Sequence, residues 1–306
     1  MCEAGGMEPG TLTKGQATDY LAGGAIYVDD SGNPGVDSGS DFLPSSRKSW
    51  TAVVVPSSIA QSVATGMGIF LAGVLADYGA EELHFTDIWS GVGPWEGVKP
   101  AERAKVIAIM TDLVESYSLP VIHQTVSDYT LADRPDFKLS LEGARAGDWK
   151  LDRLDHFGLL LLCSQVSRHV LDLRSAGPAD FDLPLPLIVD EGVLAAGRER
   201  TLPNWGAVIE GPKACFRRSS DLPGLQLADF AAFVITRSQW QVVKRNVRPA
   251  FEEAEAVILR AASVLNILNL PVRTTNSGEL GRTSYESWME DDRDAKGLSR
   301  RPPDRG

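Results

Sequence analysis

A chain of 306 residues, 43% of them hydrophobic, can bury a full core as one large domain or two small ones. Its formal charge of −11 excludes general affinity for nucleic acid or anionic membrane while leaving room for a local basic patch. Three widely spaced cysteines (Cys2, Cys163 and Cys215) offer no disulfide framework and no Cys-x-x-Cys metal knuckle, which points to a reducing cytoplasm.

Residues 1–22 are Gly-rich and polar, read as a flexible arm, and the acidic start MCEAGGMEPG lacks the apolar stretch of a signal peptide. Next comes IYVDDSGNPG, residues 26–35: an apolar strand running into Asp29 and Asp30 and then into a Gly/Asn/Pro turn. Two carboxylates about 4 Å apart repel by roughly 1 kcal/mol in water and about 4 kcal/mol at an effective dielectric of 20. A divalent cation would offset that cost. An Asx-type turn, with Asp30 or Asn33 bonding the backbone two residues on, explains the same letters.

A polar loop over 37–48 leads to a second, valine-rich strand at 49–56, so an antiparallel hairpin is expected. Ser57-Ser58 then opens a helix to about Tyr78. Its apolar run GMGIFLAGVLA is eleven residues, short of the ~20 needed to span a bilayer, and is read as the buried half of a soluble helix. Residues 81–91 (EELHFTDIWSG) read as a third strand with Glu82, His84 and Thr86 on one face. Pro100 starts a helix that Pro120 stops, and VIHQTV at 121–126 is a short strand.

Residues 128–150 look like a long loop, a lid or an insertion. Residues 151–175 form the clearest helix, with acids near its start and Arg168, His169 and Arg174 near its end. A strand at 183–189 ends in Asp190-Glu191-Gly192. Residues 208–219 suggest a strand pair, 225–243 and 249–268 helices, and 271–306 a disordered tail. Hairpins early and helices alternating with strands later suit an α/β mixed sheet covered by helices on both faces, with one main domain over 23–270.

Three acidic sites sit where a carboxylate is costly: Asp29 with Asp30, Asp190 with Glu191, and Asp229 inside an apolar helix. A solvent-facing Asp229, or one paired with Arg237, is the plainer reading, as is a solvated strand exit for Asp190-Glu191. From 211 to 250 there are seven basic residues (Lys213, Arg217, Arg218, Arg237, Lys244, Arg245 and Arg248) against two acids, a local balance of +5. Such a patch suits a phosphate backbone, or is an ordinary solvated helix face. No Walker lysine motif, Gly-x-Gly-x-x-Gly or Gly-x-Ser-x-Gly is present.

Together the three sites resemble the ribonuclease-H-like arrangement of an Asp on the first strand, an acid on a later strand and an Asp on the last core helix. IYVDDSGNPG, ELHFTDIWSG, LPLIVDEG and LQLADF, in that order across about residues 24–240, resemble the motifs of the family called domain of unknown function 3800. The resemblance implies a ribonuclease-H-like fold and a metal-dependent nuclease. In that nuclease Asp29, Asp190 with Glu191 beside it, and Asp229 would be the acids, and Asp30 a weaker or outer ligand of the ion. His84 matches a recurrent position; with Glu82 it would support the ligands rather than touch the ion. The implied cofactor is Mg²⁺ or Mn²⁺, as two ions; the implied partner is DNA or RNA, contacted by Arg217, Arg218, Arg237, Lys244 and Arg245. No membrane is implied. A ribonuclease-H-like module that binds nucleic acid or protein without cutting is the alternative.

Overall fold

A computed structural model describes residues 23–31, 38–127, 131, 135–177, 182–244, 253–270 and 279–298. The N-terminal arm, the turn at 32–35, Arg245 and Arg248 lie outside the described residues.

Among these residues, seven strands form one mixed sheet in the order β7-β8-β6-β1-β2-β3-β9. The strands are β1 (Ala25–Ser31), β2 (Lys48–Val55), β3 (Pro120–Val126), β6 (Leu185–Asp190), β7 (Glu199–Thr201), β8 (Ile209–Arg217) and β9 (Asn266–Ile267). The expected hairpin is present: β1 and β2 are antiparallel, with Asp29 opposite Thr51 and Asp30 opposite Trp50. Strand β3 extends it antiparallel, while β6 lies parallel to β1 and β8 parallel to β6. A small separate hairpin, β4 (Arg145–Ala146) and β5 (Trp149–Lys150), sits within the region read as loop.

Alternation along the central strands splits the core into two layers. Tyr27, Val53, Val121 and Ile188 face helices α1 (Ser57–Tyr78), α3 (Pro100–Tyr117), α6 (Pro223–Lys244) and α7 (Glu253–Val264). Ile26, Val28, Trp50 and Val189 face α5 (Leu154–Ala176), whose Leu159, Leu162, Cys163 and Val166 are fully buried. Two glycines let helices approach the sheet. A Cβ on Gly158 would stand 2.9 Å from Trp50, and one on Gly224 would stand 2.3 Å from the Tyr27 ring.

Five expectations change. Residues 81–91 are not a strand: α2 (Phe85–Ser90) begins there, its Phe85 and Ile88 buried one turn apart and Gly91 closing it at φ 70°. Alternation and a single helical turn share too few positions for six residues to separate them. Of the run 66–76, only Met67, Phe70 and Val74 are buried; Ile69 is 72% and Leu75 48% exposed. By length and composition alone this 22-residue helix also matches a membrane span.

The strand pair expected at 208–219 is one strand, β8, whose antiparallel neighbour is β7 upstream. The segment read as a disordered tail contains α8 (Arg282–Ala295), whose Tyr285 and Met289 pack with Leu43, Val242 and Val243. A few well-placed apolar side chains dock that helix despite its polar composition. Residues 135–141 likewise form a short helix, α4 (Pro135–Leu141).

Candidate metal-binding and nucleic-acid site

Parallel pairing sets Val28 opposite Val189, so Asp29 and Asp190 are the next residues along two adjacent strands. Asp29 shares the pleat of Tyr27, and Asp190 that of Ile188, so both project toward the layer containing α6. Neighbouring strands are about 4.8 Å apart. Helix α6 packs against this face, and its one acid within the strand-facing stretch, Asp229, interacts electrostatically with both. The topology therefore gathers three acids distant in sequence.

Their ionisation records the strain. Burial, then the charges of Asp229, Asp190 and Asp30, push the Asp29 carboxyl well above the usual range. Burial raises Asp190 to about 6, against the lowering effect of the Glu191 backbone N–H. Burial also raises Asp229, partly offset by His84 and by the Phe85 N–H. The Asp190 Oδ1 atom is buried with no hydrogen-bond partner among the described residues.

Asp229 Oδ2 accepts a hydrogen bond from the Phe85 N–H at 3.1 Å and lies 3.7 Å from His84 Nδ1. On its other side His84 Nε2 is 3.3 Å from Glu82, which accepts a hydrogen bond from the Ser219 hydroxyl. The Asp229 carboxylate beside it, opposed by burial, raises His84 to about 9, which favours the cation at neutral pH. Among the described residues, no three His, Cys, Asp or Glu side chains form a ready-made metal cage.

Asp30 occupies the opposite pleat from Asp29, and Glu191 follows the end of β6. Asp30 pairs with Lys48, and Glu191 is exposed, 3.7 Å from Arg218. Asp29, Asp190 and Asp229 thus lie within electrostatic reach of one another without forming a metal-competent group among the described residues, with His84 and Glu82 beside Asp229, while Asp30 and Glu191 have separate cationic partners.

The basic residues divide into two groups. Arg217, largely buried, lies opposite Asp190 in the sheet and 3.9 Å from Glu199. Lys213 bonds Glu199 at 2.9 Å. On α6, Arg237 stacks 4.6 Å over Trp89 and Lys244 4.3 Å over Trp240.

A polar row continues the site across the sheet. Thr51, opposite Asp29, bonds His123 Nδ1 at 2.9 Å, and Thr125 is 3.0 Å from His123 Nε2. Burial holds His123 down to about 3, so its ring is neutral. Ser31 bonds Thr236 of α6 at 2.8 Å. Sequence reading missed this row; alternation in VIHQTV, placing His123 and Thr125 on one face, was its available signal.

Beyond Asp229, a cleft of about 310 Å³ opens between the end of β1, α2 and α6. No protein-family model matches the chain, and neither does any curated protein or solved structure.

Proposed function

We propose that this chain is a ribonuclease-H-like, metal-dependent nuclease in which Asp29, Asp190 and Asp229 hold Mg²⁺ or Mn²⁺. The observation that carries this reading is the buried Asp190 Oδ1, without a partner among the described residues, on the strand next to that of Asp29. An oxygen in that position is costly unless a cation or donor reaches it. All-oxygen donors from separate elements suit hard divalent ions that keep several waters. Such ions, as a pair, supply an activated water and stabilise the leaving oxygen of a phosphodiester. Asp29 and Asp190 offer a rigid edge on neighbouring strands, while Asp229 approaches from the helix. His84, charged and within reach of Asp229, orients that carboxylate and can release it as the ions enter. Arg217, beside Asp190, places positive charge where a phosphate backbone would approach.

The test is a cleavage panel on labelled DNA, RNA and hybrid with Mn²⁺, using wild type, Asp29→Asn and Asp229→Asn. Cleavage by wild type alone is expected; equal cleavage by both variants would contradict the assignment. The alternative, a module that binds without cutting, draws on the existing partners of Asp229 and on the lack of a preformed cage. It predicts binding with no cleavage by any of the three proteins.

A further inference from the structure

The cleft beside Asp229 has features that the three acids do not use. Its lining includes Trp89 and Phe233, whose rings are tilted 50° to each other with centroids 6.2 Å apart, and Arg237 and Trp240 further along α6. The Arg237 guanidinium carbon already sits 4.6 Å over the Trp89 ring. Two donors here, Arg237 Nε and Trp240 Nε1, are buried without an acceptor among the described residues, and Trp240 is only 4% exposed. Buried donors left unpaired are rare and call for an acceptor.

We infer that this cleft receives an unstacked nucleobase of a single-stranded nucleic acid, stacked on the Arg237 guanidinium that Trp89 backs, with its carbonyl oxygens or ring nitrogens accepting from the orphaned donors. The inference rests on the nuclease reading in that both place nucleic acid at this end of the sheet, and it adds which strand form is taken. A volume of 310 Å³ lies at the small end of single-ligand sites, with room for one extruded residue rather than a length of duplex. Aromatic and guanidinium planes stack on any base, whereas a base inside a duplex has no free face. A bare phosphate fits less well, because Asp229 lines the same cleft and would repel it.

The experiment is fluorescence anisotropy of a labelled single strand of about 12 nucleotides, as DNA and as RNA, against the blunt duplex of the same sequence. EDTA keeps the strands intact and the measurement independent of metal. Single strands are expected to bind about tenfold tighter than duplex, with Trp89→Ala and Arg237→Ala each losing about tenfold. Arg237→Lys, which keeps the charge without the plane, is expected to lose most of that advantage and covers the case in which Trp89→Ala fails to fold. Equal affinity for both strand forms, or undiminished single-strand binding by folded Trp89→Ala or Arg237→Lys, would overturn the inference. Cleavage with Mn²⁺, measured separately, reports on the nuclease reading. Single-strand preference without cleavage removes that reading alone; cleavage without single-strand preference removes this inference alone.

Discussion

Replacing Asp29 by Asn removes an ionisable carboxyl whose charged form is disfavoured by burial and by the neighbouring acids. The metal-free protein is therefore expected to be as stable or more so, because the amide carries neither the desolvation cost nor the like-charge repulsion. Chemical unfolding in EDTA checks this; marked destabilisation would favour a structural turn instead. Asp190 gives the matching pH dependence. Its folded-state value, about 6, lies above that of an unfolded aspartate, so the native state retains a proton that the unfolded chain has lost. The stability it contributes is full below about pH 4 and is lost as pH rises through about 6. In EDTA the stability difference between wild type and Asp190→Asn should change across that window, the wild type losing ground as pH rises. Asp29, Asp30, Asp190, Glu191 and Asp229 could all be picked from sequence, because acids at the ends of apolar runs are conspicuous. Which pleat each occupies depends on strand pairing, and only the register shows Asp30 turning to Lys48 and Glu191 to Arg218.

At the scale of elements, the approach of α6 to β1 decides whether the third acid arrives. Gly224 lies over the Tyr27 ring, and a methyl group there would collide with it from 2.3 Å. Gly224→Ala is expected to destabilise by about 1–3 kcal/mol, as overpacking does. It should also weaken Mn²⁺ binding, because Asp229 rides on the same helix. Thermal melts with and without Mn²⁺ report both effects; an unchanged melt would show that α6 shifts freely. The long helices and the β1–β2 hairpin were legible because their patterns run over many residues. Residues 85–90 were not, since one helical turn is too short for its period to show. Helix α8 was hidden by composition: Tyr285 and Met289 supply its docking through i, i+4 spacing within an otherwise charged segment.

For the whole molecule, the seven-stranded α/β sheet and its two-layer core follow from the order of strands and helices in the chain. The strand crossover that makes β6 the neighbour of β1 is a long-range fact, and it converts two separate acidic strand ends into adjacent ones. The cleft with Trp89, Phe233 and Arg237 arises where α2 meets α6, a contact that no local pattern announces. Net charge stays at −11 while the acids cluster at one end of the sheet, so cation uptake should also ease repulsion within the fold. The most direct measurement is Mn²⁺ binding by electron paramagnetic resonance at pH 7.5, comparing wild type with Asp29→Asn, Asp190→Asn and Asp229→Asn. Saturable binding by wild type, weakened at least tenfold in each variant, is the expected result. An unaltered Mn²⁺ signal in all three, or no binding by wild type, would contradict a shared ion at these carboxylates.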